Sequence, residues 1–137
     1  MPKRDDRIVI AGAGPAGSTL AIRLRKLGLD VTLIERYKFP RQKLCGEFIS
    51  PECLRHFDDL GVLDEMLSAG GDHIRETVFY ETAGRSISVP SRWFDDGGFA
   101  LSLSRAQMDE ILLDAAKRAG ATVFEETAVT GLLTENG

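Results

Sequence analysis

Gly12, Gly14 and Gly17 are spaced as Gly-x-Gly-x-x-Gly, and an acid, Glu35, follows 21 residues after Gly14. Those residue types at that spacing suit phosphate and ribose chemistry. Gly12 permits a tight turn, Gly14 lets a pyrophosphate approach the backbone because it has no Cβ, and Gly17 allows a helix to pack closely on a strand. A pyrophosphate placed there meets the free N–H groups and the positive dipole end of the helix N-terminus. Pro15 suits an early helical position, where a missing N–H costs nothing. Glu35 stands at the offset from which a carboxylate accepts hydrogen bonds from a ribose 2′-hydroxyl.

The elements that position these residues are legible around them. An apolar run, Ile8-Val9-Ile10-Ala11, enters the glycine turn, a helix is expected over 16–27, and Val31 to Ile34 forms a second strand ending on Glu35. Strand, turn, helix, strand and acid in this register form the dinucleotide-binding βαβ fingerprint. Leu20, Leu24 and Leu27 share one helical face and are expected to be the inner one, with Arg23 and Lys26 turned outward and Gly28 as the stop.

Residues 36–50 lose any clear period. The stretch holds four basic residues, Pro40 and Gly46, and a loop this long in a compact domain is usually functional or disordered. Phe39, Leu44, Phe48 and Ile49 argue against disorder. Ser50-Pro51 then reads as a helix start, with Leu54, Phe57 and Leu60 inward and Gly61 as the end. A short helix over 63–67 stops at Gly70-Gly71.

The period next changes from helical to alternating. Residues 74–80 and 87–89 read as strands about a turn at Ala83-Gly84, and Phe99, Leu101 and Leu103 alternate in a third, giving an antiparallel meander. Residues 93–98 form a polar turn carrying Trp93 and Phe94, which either line a substrate pocket or cover the meander. Ser104 to Gln107 is a capping box opening a helix whose apolar face is Met108, Ile111, Leu112, Ala115 and Ala119, closed by Gly120. A strand over 122–124 and an apolar stretch over 129–133 follow. The final Asn136-Gly137 is a hairpin-turn signal with no returning strand, so the chain reads as a fragment of a longer protein.

Composition sets outer bounds. The 137 residues suit one domain, and 43% apolar with 28% charged residues describes an ordinary globular protein. A net charge of −4, without a strong basic block, does not indicate nucleic-acid binding. No apolar run approaches the roughly 20 residues of a membrane span, and Met1 to Asp6 is not a signal peptide, so the cytoplasm is the expected compartment. Cys45 and Cys53 lack metal-ligand or disulfide-framework spacing, and His56 and His73 stand alone.

Three stretches together carry a family resemblance: Gly12–Gly17 with Glu35-Arg36, then Pro40-Arg41-Gln42-Lys43-Leu44-Cys45-Gly46-Glu47, then Leu103-Ser104-Arg105 through Asp109. They resemble FAD-dependent oxidoreductases with the p-hydroxybenzoate hydroxylase architecture. The Arg-x-Lys-x-Cys-Gly-Glu loop is the most specific, and is similar to that of the geranylgeranyl reductases and related flavin-dependent halogenases and monooxygenases. The resemblance covers nearly all of this chain but only the N-terminal third or so of such an enzyme.

The resemblance implies an α/β fold: a Rossmann-like FAD-binding domain, truncated, with residues 73–103 lending an edge to a substrate domain. It implies that Gly12, Ala13, Gly14, Pro15 and Ala16 hold phosphate, that Glu35 holds ribose, and that Arg36 lies along the adenine. Cys45 and Gly46 would pass beside the flavin, Arg105 would reach phosphate or ribitol, and Val129 would contact adenine through its backbone. Arg41 and Lys43 are either phosphate partners or plain surface charge, and Cys45 is either a reactive thiol or packing. NAD(P)H as electron donor and a small organic substrate are likewise implied, for reduction of an unsaturated or isoprenoid chain, hydroxylation or halogenation. A non-catalytic dinucleotide-binding module is the alternative. A nicotinamide-only dehydrogenase fits less well, because a plain Rossmann unit would continue βαβ after its second strand.

Overall fold

A computed structural model describes residues 7–45, 47–94 and 98–134. In chain order it contains β1 (Arg7–Ala11), α1 (Pro15–Lys26), β2 (Asp30–Ile34), β3 (Phe48–Ile49), α2 (Pro51–Leu60) and α3 (Leu63–Ser68). Then come β4 (Asp72–Ile74), β5 (Glu76–Tyr80), β6 (Ser86–Pro90), β7 (Ala100–Ser102), α4 (Arg105–Arg118) and β8 (Thr122–Phe124), with a 3-10 turn at Ser91–Trp93. The chain divides into two compact units, residues 1–41 with 112–137, and residues 42–111.

The first unit is built on a parallel sheet of order β1-β2-β8. Ile8 stands beside Val31 and Ile10 beside Leu33, while Leu33 pairs with Val123 on the other side of β2. Being central, β2 buries Val31 and Leu33 completely. Helix α1 starts at Pro15, one residue before the expected start, and ends at Lys26.

The buried face of α1 differs from the leucine stripe. Ser18, Ala21 and Ile22 are buried, whereas Leu20 is 47% exposed and Leu27 75% exposed. The cause is the close approach at Gly17, where an added Cβ would lie 1.9 Å from the Gly12 carbonyl oxygen. A helix held that near its turn has its inner face set by the Gly17 contact, and hydrophobic periodicity cannot register that constraint.

The second unit carries two antiparallel sheets. Strand β7 lies between β3 and β4, and β5 pairs with β6. Antiparallel strands are present as expected, yet they do not form a meander. The β5–β6 hairpin turns at Gly84 (φ +84°), but β7 leaves β6 and pairs with β4, with His73 opposite Leu101. Ile74 therefore belongs to β4 and not to the hairpin, and the formless 36–50 stretch contains the short strand β3. Gly71 explains the fit beside β7: a Cβ there would meet the Ser102 carbonyl oxygen at 2.3 Å.

Helix α2 buries Leu54, Phe57 and Leu60 as its period requires, packs on α3 and β7, and stops at Gly61 in the left-handed conformation. Ser50 has N-cap backbone angles, but its hydroxyl bonds the Cys53 sulfur at 3.4 Å and leaves the helix N–H groups uncapped. The capping box of α4 is half formed: the Gln107 N–H donates to Ser104 Oγ at 3.2 Å, while the Gln107 side-chain amide donates to the Ala69 carbonyl. Trp93 and Phe94 are exposed, Phe94 lining an apolar pocket with Phe79 and Val89 of the hairpin, and Leu44 is fully exposed. Asp95, Asp96 and Gly97 of the expected turn, Gly46, and the terminal Asn136-Gly137 lie outside the described residues.

Candidate nucleotide site

The glycine turn is held from both sides. Gly12 takes φ +102°, a conformation that L side chains rarely adopt, and its N–H donates to the Ile34 carbonyl at 2.7 Å. Gly14 is the N-cap of α1 with extended backbone, Pro15 follows as the first helical residue, and no acid occupies the first helical turn. The positive end of α1 is therefore left for an anion to satisfy. Buried Ser18 ties the turn to the helix, its hydroxyl donating to the Ala13 carbonyl at 3.0 Å.

Glu35 is 4% exposed, and its carboxylate faces the same turn. Oε2 accepts the Ala13 N–H at 2.8 Å and Oε1 accepts the Tyr37 N–H at 3.0 Å. The backbone of Glu35 is fixed by β8 and the segment after it: its N–H donates to Phe124 and its carbonyl accepts from Thr127. The acid and the glycines, 21 residues apart in sequence, thus share one site.

Beside them opens a cavity of about 410 Å³ lined by Ala11, Gly12, Ile34, Glu35, Arg36 and residues 127–130. Val129 is among those residues, as is Arg36, whose guanidinium sits 5.4 Å from the Tyr37 ring centroid. Thr127, Ala128 and Thr130 were missed by the sequence reading. The parallel register of Ile34 with Phe124 was the signal, because it brings whatever follows β8 alongside Glu35.

Arg41 stands against Glu35, its Nε 3.6 Å from Oε1 and its guanidinium 4.8 Å from the Phe39 ring centroid. Glu125, also missed, accepts the Phe39 N–H at 2.8 Å and pairs with Lys117 at 3.3 Å. Burial pushes its carboxyl upward, but the Phe39 N–H together with Lys117 and Lys38 outweighs that and holds it below the ordinary glutamate value.

The second unit brings together Cys45, Arg105 and Asp109. Asp109 is fully buried, and Arg105 Nε donates to its Oδ1 at 2.7 Å. That bond raises the guanidinium pKa above its ordinary value; burial opposes the shift, and a hydrogen bond to exposed Cys45 adds to it. Lys43 is exposed. Among the described residues no group of acids, histidines and cysteines could hold a metal, and no helix is long and apolar enough to cross a membrane.

The residues fit a dinucleotide: a glycine cradle without Cβ atoms, an open helix N-terminus, and a buried acid at a cavity. Comparison with known proteins names the dinucleotide. A family model described as FAD binding domain matches residues 5–137. Tryptophan 2-halogenase of Chondromyces crocatus is 34% identical over 131 residues, which cover 92% of this chain and 24% of that protein. Menaquinone reductase of Mycobacterium tuberculosis is 33% identical over 120 residues, covering 85% and 28%. The solved structure of the myxobacterial FAD-dependent chondrochloren halogenase superposes with a TM-score of 0.84 at 35% identity, over 95% of this chain and 30% of that one. The chain spans less than a third of the length of each of these three proteins. With a family match along almost its whole length and a glycine-and-acid site of the matching kind, this chain belongs to the FAD binding domain family.

Proposed function

We propose that this chain is the FAD-binding portion of a flavin-dependent oxidoreductase acting on a small organic substrate in the cytoplasm, with NAD(P)H as the electron donor. The observation that carries the reading is the convergence of Gly12, buried Glu35 and Val129 on one cavity beside the N-terminus of α1. Two free thiols accord with a reducing compartment. When bound, FAD supplies the redox chemistry, and the protein supplies position and electrostatics.

Residues 12–16 hold the pyrophosphate through backbone N–H groups and the helix dipole. Glu35 accepts from the adenosine ribose, and Arg36 and Val129 flank the adenine. Lys43, Cys45, Gly46 and Arg105 are assigned to the cofactor by their resemblance to the flavoenzyme pattern, with residues 73–103 lending an edge to a substrate domain. Reduction of an unsaturated chain, hydroxylation and halogenation separate by product, in assays of the protein carrying this chain with NADPH, with and without halide.

The ribose assignment is tested by Glu35→Ala. Loss of a buried hydrogen-bond partner should weaken FAD binding by about 1–3 kcal/mol in a fluorescence titration. An unchanged affinity would remove Glu35 from the site.

A further inference from the structure

A line of contacts runs from the acid of the nucleotide cavity to a second acid outside it. Glu125 fixes the backbone of Phe39 at 2.8 Å, and the Phe39 ring carries the Arg41 guanidinium at 4.8 Å. Arg41 Nε lies 3.6 Å from Glu35 Oε1, and Glu35 Oε2 reaches the glycine turn at Ala13. The side chains of Arg41 and Glu35 are only 13% and 5% exposed. Charges withdrawn that far from water are costly unless paired, so this geometry needs both partners.

We propose that Arg41 is the positioning residue of Glu35: it holds the carboxylate aimed at the cavity, and acts on the cofactor through that carboxylate instead of touching phosphate itself. The inference rests on the reading of Glu35 as the ribose acceptor. A separation of 3.6 Å makes an ion pair but exceeds a good hydrogen bond, which leaves Oε1 acceptor capacity for a hydroxyl beyond the Tyr37 N–H it already accepts. The stack on Phe39, itself anchored by Glu125, restrains the guanidinium from swinging away.

A double-mutant cycle on FAD affinity tests this, with Arg41→Gln, Glu35→Gln and the double variant titrated with FAD and with inorganic pyrophosphate. Arg41→Gln alone should weaken FAD binding about tenfold, the scale of a charge-assisted contact. In the Glu35→Gln background the same change should cost less than about twofold, and pyrophosphate binding should not depend on Arg41. A role confined to folding would lower the melting temperature without producing that coupling. Should Arg41→Gln not fold, Arg41→Lys keeps the charge and should show a smaller loss that also vanishes beside Glu35→Gln. Equal losses in both backgrounds, or loss of pyrophosphate binding, would overturn the proposal in favour of direct phosphate contact. If Glu35→Gln alone leaves FAD affinity intact, the ribose reading fails first and takes this inference with it.

Discussion

Gly17 and Gly12 show how two residues fix the site before any ligand arrives. No L side chain fits at Gly17 without moving the Gly12 carbonyl, since a Cβ would sit 1.9 Å from that oxygen. Gly17→Ala should therefore destabilise the chain by about 2 kcal/mol or more and weaken nucleotide binding with it. Gly131→Ala, where an added Cβ meets nothing within 4 Å, should change the midpoint of denaturant unfolding by less than about 0.5 kcal/mol. Equal effects of the two would mean that the turn is not packed as described. The glycine turn and the placement of Glu35 beside it were legible because they depend on local backbone and short spacing. Arg41 was not: whether it meets phosphate or Glu35 depends on where Phe39 is held, and its anchor, Glu125, is 86 residues away in sequence.

At the scale of elements, the helices were read nearly to their ends, while the short strands β3 and β4, and the faces and partners of the elements, were read less well. The leucine stripe of α1 pointed to the wrong face, because the close approach at Gly17 turns Ser18, Ala21 and Ile22 inward instead. Ile22→Ala, at a site only 2% exposed, should cost about 2–4 kcal/mol, whereas Leu27→Ala should lie within about 0.5 kcal/mol of wild type. Reversed effects would restore the leucine face. The order of the antiparallel strands was illegible for a related reason: alternation shows that a strand has two faces but not which neighbour it pairs with.

The loop after β2 carries its own pH signature. Glu125 is held below the ordinary glutamate pKa, so its contribution to stability is complete above the unfolded value and is lost as pH falls through the lower folded one. Glu125→Gln keeps an acceptor for Phe39 but gives up the pairing with Lys117. The melting-temperature gap between wild type and this variant should therefore be widest near neutrality and close under acid conditions. A gap constant with pH would show that the charge of Glu125 stabilises nothing.

Across the whole molecule, the adenosine end of the proposed site belongs to a single unit, residues 1–41 with 112–137, since every residue lining the cavity comes from it. The sequence reached the FAD family through three separated stretches. Apart from Val129 it could not reach the cavity's shape, because the 127–130 wall has no motif and is placed by the pairing of β8 with β2 and the Thr127 bond to Glu35. Titrating the chain with FAD and competing with ADP or FMN tests whether a dinucleotide is held here by its adenosine diphosphate half. Saturable binding of one FAD per chain is expected, displaced by ADP and not by FMN. Absence of saturable binding, or displacement by FMN but not by ADP, would contradict it.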